Sequence, residues 1–192
     1  MRVLWPAPAR RNDRLLLRAR RGDREAFRAL YRELYDPVAR FVGRRVRQRE
    51  DAEDVISRTF ERLLLHLESF DEERGGALPF ALAIARNLML DDLRAQRPGV
   101  PLDEAAAELV ETRTPLAELL RGEEVRVARE KLEALPPEVR ELLVLRYGDG
   151  LSTLEIGQLL GLSTAAVRQR LSRAVRSLRD SADAKEGAMA HE

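Results

Sequence analysis

Cysteine is absent from the 192-residue chain, and histidine occurs only twice, at His66 and His191. Disulfides and thiolate nucleophiles are therefore excluded, and too few ligands remain to build a zinc or iron site. Aromatic residues make up only 5% of the chain and charged residues 35%, a balance typical of charge-rich helices and not of strand-rich sandwiches. We therefore predict an all-α protein without a metal or other cofactor.

Long apolar runs are also missing, because no stretch approaches the roughly 20 residues that a membrane-spanning helix requires. The opening residues MRVLWPAPARRND are basic and interrupted by proline, and they lack the apolar segment of a secretory signal. We therefore expect a soluble cytoplasmic protein without membrane insertion.

The net charge is only +1, so the distribution of charge matters more than its sum. Residues 1–49 carry about three times as many arginines as acidic residues, whereas residues 103–138 are rich in glutamate. Lys131 and Lys185 are the only lysines, and arginine suits contacts with phosphate and guanine. A GC-rich genome would give the same arginine bias, which leaves both interpretations open.

Apolar periodicity and helix breakers divide the chain into two small helical domains. In the first domain we predict helices after Asp13, after Gly22-Asp23, from Pro37, from Glu50 to Phe70 and from about Pro79 to Arg97. Prolines and acids then replace the periodic pattern, which predicts a flexible linker. The predicted division is a disordered tail at 1–12, a domain at 13–97, a linker at 98–120, a second domain at 121–181 and a tail at 182–192.

The stretch LSTLEIGQLLGLSTAAVRQRLSRA, residues 151–174, predicts a helix-turn-helix. Ser152 and Glu155 have the spacing of a capping box, so that a helix begins there, and Gly161 ends it. Ser163 begins the second helix, while Gly157 permits close approach of the two helices.

Two faces of that second helix differ in chemistry. Val167, Leu171, Ala174 and Leu178 share one face, and the opposite face presents Ala165, Arg168, Gln169, Ser172, Arg173 and Arg176. Arginine and glutamine bind guanine and adenine edges in the major groove, so this face predicts contact with DNA. The alternative is a solvated charged face on an ordinary amphipathic helix.

These residues carry a resemblance. EALPPEVRELLVLRYGDGLSTLEIGQLLGLSTAAVRQRLSRAVRSLR resembles the promoter-reading C-terminal domain of bacterial sigma factors. The segments GDREAFRALYRELYDPVARFV, REDAEDVISRTFERLLLHLESF and ALAIARNLMLDDLRAQRP resemble, in order, the other sigma domain. The layout is similar to the extracytoplasmic-function (ECF) group. The resemblance implies a non-enzymatic factor that binds core RNA polymerase and promoter DNA, and that an anti-sigma protein commonly controls.

The resemblance also implies site residues for polymerase binding. The stretch from Asp54 to Leu67 is similar to the family's polymerase-binding helix. The implied residues are Asp51, Asp54, Val55, Ser57, Arg58, Phe60, Glu61 and Leu64. Ser57 and Arg58 stand where the family often has a Gln-Glu pair, so one acidic contact is absent or displaced. Alternatively, these acids only form a solvated helix face.

For the downstream promoter element the resemblance implies Phe80, Arg86, Asn87, Arg94 and Arg97. Phe80, Leu82 and Ala83 stand where the family usually has tryptophan, a further aromatic and a basic residue. Stacking on bases is therefore reduced, and Leu82 and Ala83 are equally consistent with a core role.

For the upstream element it implies Thr164, Arg168, Gln169, Arg170, Ser172, Arg173 and Arg176, with Arg170 and Arg176 on phosphates.

Two other function classes are a stand-alone regulator and an enzyme. A stand-alone helix-turn-helix regulator would bind duplex DNA without polymerase. An enzyme would need a constellation that Asp91 and Asp92 do not provide, because neighbouring residues on a helix point about 100° apart and no nucleophile or phosphate loop joins them.

Overall fold

The computed structural model describes the backbone of residues 7–73, 75–97, 99, 101, 109 and 135–189, and side chains between residues 11 and 178 of these. In this part of the chain there are seven α-helices and no strand, which confirms the predicted all-α class. The helices are α1 (Ala7–Arg20), α2 (Arg24–Gly43), α3 (Arg49–Leu65), α4 (Ala77–Gln96), α5 (Pro137–Leu143), α6 (Thr153–Leu160) and α7 (Thr164–Met189). A 3₁₀ turn spans Leu67–Ser69, and a π-helical turn spans Val144–Gly148.

Helices α1 to α4 form the amino-terminal domain by packing apolar stripes against one another. On α2 the buried residues Leu30, Leu34, Val38 and Phe41 recur every three or four positions, so one face is continuously apolar. Leu63 of α3 and Leu88 of α4 are likewise fully buried. The burial of these large side chains is the main stabilising contribution to this four-helix unit.

The start of α1 differs from the prediction. The helix begins at Ala7, so residues 7–12 are helical and not a disordered tail, and Asp13 lies inside the helix. Its carboxylate Oδ1 accepts a hydrogen bond of 2.7 Å from the backbone N–H of Ala77, the first residue of α4. Asp13 therefore caps a helix 64 residues away and not its own.

The sequence predicts that a new helix begins at Pro37. In the structure Pro37 instead lies within α2. Proline removes one backbone donor, yet Leu34, Val38 and Phe41 stay on one buried stripe across it. The packing of that stripe outweighs the lost hydrogen bond.

At the end of α3 the helix stops at Leu65, earlier than the predicted Phe70. Leu67 and Phe70 remain buried because the 3₁₀ turn directs them back to the core.

The helix-turn-helix is formed by α6 and α7, as predicted. Ser152 Oγ accepts from Glu155 N at 3.2 Å and Glu155 Oε2 accepts from Ser152 N at 2.8 Å, which completes the capping box. Gly161 ends α6 with φ +68°, and Ser163 Oγ accepts from Ala166 N at 3.1 Å at the start of α7. The buried side chain of α6 is Ile156, whereas Leu154 and Leu159 of α6 and Leu162 in the turn are half-buried.

Helix α7 is longer than predicted, because it continues to Met189 through residues assigned to the tail at 182–192. Residues 179–186 contain no glycine or proline to end the helix, and alanine, lysine and glutamate there favour it.

Of the predicted linker 98–120, the structure describes only Gly99, Pro101 and Leu109. Leu109 is helical, 6% exposed and part of the same apolar core as the helices, which differs from the expectation of a flexible linker at this position. The remainder of the predicted linker and residues 121–134 of the predicted second domain lie outside the described residues.

Candidate nucleic-acid interface

Helix α7 presents a polar face to solvent along its first four turns. Val167, Leu171 and Ala174 are buried against the rest of the domain, which fixes the orientation of the helix. The exposed residues are Ala165, Arg168, Gln169, Arg170, Ser172, Arg173 and Arg176, whereas Thr164 is half-buried. The structure therefore brings the predicted upstream-element residues together on one helix surface.

The charge of this surface is uniformly positive. We call it the arginine face, which consists of Arg168, Arg170, Arg173 and Arg176. Residues 164–178 contain no aspartate or glutamate. In the described part of the chain no carboxylate lies within ion-pair distance of these four guanidinium groups. Unpaired guanidinium groups on the second helix of a helix-turn-helix can reach phosphates and base edges.

An open groove of about 350 Å³ adjoins the arginine face. It lies between the π-helical turn and α7 and is lined by Tyr147, Leu171, Ser172, Val175 and Arg176. Ser172 and Arg176 therefore belong both to the groove wall and to the predicted DNA contacts.

The residues predicted for the downstream element do not share one environment. Asn87, Arg94 and Arg97 are exposed on α4 or at its end. Phe80 is half-buried with its ring centroid 5.5 Å from that of Phe70, so it contributes to packing. Arg86 Nε donates to Glu141 Oε1 of α5 at 3.1 Å. This last contact was not anticipated from the sequence.

Leu82, at a position where the resemblance suggested an aromatic residue, is fully buried in the core. The core alternative is therefore confirmed for Leu82, whereas Ala83 is half-buried.

The residues predicted to bind polymerase divide between two faces of α3. Asp51, Asp54, Ser57, Glu61 and Leu64 are exposed. Val55 and Phe60, however, are buried in the core of the domain, and their contact with a partner stays a prediction. Their apolar side chains pack inward because they fall on the stripe that faces α2 and α4.

Arg58, another predicted contact, bridges two helices. Its Nη1 donates to Asp54 Oδ2 at 3.1 Å and to Asp92 Oδ2 at 3.0 Å. Asp92, which with Asp91 is the only acidic pair that could suggest an enzyme, is thus a partner of Arg58 on the neighbouring helix. Partial burial lowers and the two carboxylates raise the pKa of Arg58, with a net increase.

Two tyrosines on α2 join this region although the sequence did not single them out. The rings of Tyr31 and Tyr35 lie 4.5 and 6.3 Å from that of Phe60 between centroids. Tyr31, Tyr35 and Leu64 are 40%, 39% and 50% exposed. We group them as the tyrosine patch because Leu64 follows Phe60 by one turn of α3, and Phe60 contacts both tyrosines. The i, i+4 spacing of the tyrosines is visible in the sequence, but their apposition to Phe60 depends on how α2 and α3 cross.

The two domains contact each other through polar groups. Asp149 accepts from Arg44 Nη1 at 2.6 Å and from Arg45 Nη2 at 2.7 Å. Gln158 Oε1 accepts from Gly76 N at 3.3 Å, which joins α6 to the start of α4. Together with Arg86 and Glu141, these contacts place the helix-turn-helix domain directly against α4.

Asp13 lies near this junction. Burial raises the pKa of its carboxyl group, the Ala77 N–H lowers it, and the charges of Glu72 and Glu155 raise it, with a net increase. Glu155 belongs to the second domain, so the raised pKa partly reflects the contact between domains.

Within the described residues, no group of three histidine, cysteine, aspartate or glutamate side chains could hold a metal ion. In that same part of the chain, none of the helices combines the length and hydropathy required for crossing a membrane.

Comparison with known proteins gives two family matches in the expected order. The family model of sigma-70 region 2 matches residues 30–98, and that of sigma-70 region 4 matches residues 126–178. The chain is 38% identical to the probable RNA polymerase sigma factor RfaY of Xanthomonas campestris over 151 residues, or 74% of this chain and 36% of that protein. It is 30% identical to the ECF RNA polymerase sigma factor BldN of Streptomyces coelicolor over 168 residues, or 85% and 63%.

Among solved structures, CnrH in complex with the cytosolic domain of CnrY aligns with a TM-score of 0.60 at 25% identity, over 91% of this chain and 98% of that one. The chain spans 36% of the length of RfaY and 63% of the length of BldN. Because both sigma regions are matched in one chain and in the right order, the chain belongs to the sigma-70 family, in its ECF group.

Proposed function

We propose that this chain is a non-enzymatic cytoplasmic sigma factor, which binds core RNA polymerase and directs promoter-specific initiation of transcription. The observation that carries the proposal is the arginine face of α7, which is exposed, free of acidic residues and held in a capped helix-turn-helix. The region 2 match in the same chain supports the polymerase-binding part.

The upstream promoter element is assigned to α7. Arg168, Gln169, Ser172 and Arg173 read base edges, where each bidentate pair discriminates by about 1–3 kcal/mol. Arg170 and Arg176 bind phosphates. Removing a single phosphate contact would reduce the salt slope of binding by about 0.9.

The downstream element is assigned to the exposed side chains of α4, namely Asn87, Arg94 and Arg97, together with Arg86 once it is released from Glu141. Cationic side chains hold the backbone of a displaced single strand. Phe80 supports this helix from its packed position beside Phe70 and does not offer a free stacking surface.

Core polymerase is assigned to the outer face of α3 and to the tyrosine patch. Asp51, Asp54 and Glu61 supply negative charge for basic groups on the partner. The exposed tyrosines and Leu64 supply the apolar centre that stable interfaces usually contain. CnrH is seen in complex with the cytosolic domain of CnrY, and we propose that an anti-sigma protein would cover this same surface here.

The two halves of the proposed sigma factor, residues 13–97 and 121–181, bind DNA cooperatively because they are joined. Each half alone binds weakly, and the connection makes the second contact intramolecular.

The test is transcription in vitro with core polymerase, the full chain and genomic DNA fragments, followed by mapping of the 5′ ends. We expect defined start sites that are absent without the chain. The double variant Arg168→Ala with Arg173→Ala should lose selection at the upstream element and still assemble with polymerase. Arg21→Ala, an exposed arginine in the turn before α2, is the control.

Random start sites in the presence of the chain would refute the proposal. Tight binding of a palindromic duplex by the chain without polymerase would instead favour a stand-alone helix-turn-helix regulator.

A further inference from the structure

A π-helical turn presents a large aromatic side chain to solvent beside the helix-turn-helix. Leu142 and Leu143 of α5 are buried. Tyr147 follows Leu143 by four residues, so a regular α-helix would place it over Leu143 on the buried side. The turn Val144–Gly148 has the wider π repeat instead, and Tyr147 is 68% exposed. Single π turns are rare and often mark functional sites, which favours a contact between Tyr147 and another molecule.

Backbone hydrogen bonds and buried side chains hold this turn in place. Asp149 N donates to Val144 O at 2.9 Å, and Leu151 N donates to Leu145 O at 3.0 Å. The side chains of Val144, Leu145 and Leu151 are buried. Tyr147 therefore projects from an anchored turn, so that little backbone entropy is lost when a ligand binds to it.

The groove between Tyr147 and α7 combines apolar and polar lining. Leu171 and Val175 supply apolar surface, whereas Ser172, Arg176 and the Tyr147 hydroxyl supply hydrogen-bond donors. Among the described residues, none that lines the groove is acidic. The groove therefore suits an occupant in which apolar surface lies next to a negative charge.

The backbone of a DNA strand has this chemistry, because C–H groups of deoxyribose alternate with charged phosphates. The groove also lies where a strand would pass. Arg168, Ser172 and Arg176 follow one another at intervals of four residues along one edge of α7. A helix with its side chains is about 10–12 Å wide and fills the major groove of roughly 12 Å, so its edges face the two sugar-phosphate strands.

We propose that this groove binds the sugar-phosphate backbone of one promoter strand, with the Tyr147 hydroxyl donating to a phosphate whose charge Arg176 neutralises. The inference rests on the proposed function, because the strand belongs to the duplex that α7 reads. Tyr147 is thereby a further DNA contact, one that fixes the position of α7 in the major groove and does not distinguish bases. An apolar segment of a protein partner, the competing occupant, would not require the hydroxyl.

The first test is Tyr147→Phe, which removes the hydroxyl and keeps the ring. Binding of the full chain to a labelled duplex of mixed sequence is titrated between about 50 and 200 mM salt. We expect the Kd to rise about fivefold through the loss of one hydrogen bond to a phosphate. The slope of log K against log salt should not change, because the hydroxyl carries no charge.

Arg176→Ala is the comparison for this titration, and it should reduce the salt slope by about 0.9 because it removes a charged phosphate contact. Thermal unfolding of Tyr147→Phe should match that of the wild-type chain, since the exposed ring is retained.

The second test maps the strand and uses the absence of cysteine from the chain. Tyr147→Cys provides a single thiol, to which an iron chelate that cleaves nearby DNA is attached. With core polymerase and a promoter fragment, we expect cuts clustered on one strand beside the upstream element. Arg21→Cys, in the exposed turn before α2, carries the same chelate as the control and should give no cuts there.

No binding of the duplex at the lowest salt, an unchanged Kd for Tyr147→Phe, or cuts scattered over both strands would each overturn the assignment. Loss of polymerase binding in Tyr147→Ala with unchanged duplex binding would show that a protein segment occupies the groove instead. Failure of the sigma proposal is distinguishable, because polymerase would then give no defined start sites, whereas the duplex titration needs no polymerase.

Discussion

At the scale of single residues, Gly157 is the position where the helix-turn-helix admits no side chain. A Cβ there would lie 2.6 Å from the backbone oxygen of Leu162, and a backbone atom cannot move aside as a flexible side chain can. We expect Gly157→Ala to destabilise the protein by about 1–3 kcal/mol. Urea unfolding measures the change.

The matched control is Gly43→Ala at the end of α2, where an added Cβ meets nothing within 4 Å. That variant should be neutral or stabilising by up to about 1 kcal/mol. Equal stability of the two variants would show that α6 and α7 do not approach as closely as described.

The raised pKa of Asp13 predicts that the stability of the fold depends on pH. Its pKa is raised by burial and by the charges of Glu72 and Glu155, against the lowering effect of the Ala77 N–H. A folded-state pKa above the unfolded value means that this group stabilises the fold at acid pH and that the contribution is lost as pH rises through the folded pKa. Asp13→Asn keeps an oxygen to accept from Ala77 and removes the charge.

We therefore expect the Asn variant to be more stable than the wild-type chain at pH 7. The difference should vanish below about pH 4, the ordinary pKa of aspartate. Thermal unfolding of both proteins across this range tests the sign, and a difference that grows toward acid pH would contradict it.

At the scale of elements, two adjacent residues of α3 lie on opposite sides of the helix, one buried and one exposed. Leu63 is fully buried, while Leu64 is half exposed in the tyrosine patch. We expect Leu63→Ala to cost about 2–5 kcal/mol of stability through the cavity it leaves. Leu64→Ala should change stability by less than about 0.5 kcal/mol.

The affinity for core polymerase should depend on the exposed Leu64, although the stability of the protein does not. Leu64 is proposed to lie at the centre of that interface, so Leu64→Ala should raise the Kd about fivefold or more, which corresponds to a loss of about 1 kcal/mol of binding free energy. A binding titration with labelled protein measures this. Unchanged affinity would remove Leu64 from the proposed interface.

At the scale of the whole molecule, Leu109, which lies between the two domains in the sequence, belongs to the common apolar core. It is 6% exposed, although the sequence around it suggested a flexible linker. We expect Leu109→Ala to destabilise the protein by about 2–5 kcal/mol in urea unfolding. Pro101→Ala, at an exposed position of the same segment, is the control and should have little effect.

The sequence by itself determined the all-α class, the two groups of helices, the capping box at Ser152 and the polar and apolar faces of α7. These features depend on residues three or four positions apart, or on glycine at Gly161, so the chain carries them locally. The resemblance to sigma factors was available for the same reason, because it lies in short contiguous motifs.

Only the tertiary structure decided which charges pair and which apolar residues are covered. Asp13 caps α4 from 64 residues away, Arg58 binds Asp92 at a separation of 34, and Asp149 joins Arg44 at a separation of 105. Helical periodicity distinguishes an outer face from an inner one, but it does not say which helix will lie against it. Burial of Val55, Phe60 and Leu109 and the closing of one domain on the other follow from helix packing, because they require partners that are distant in the chain.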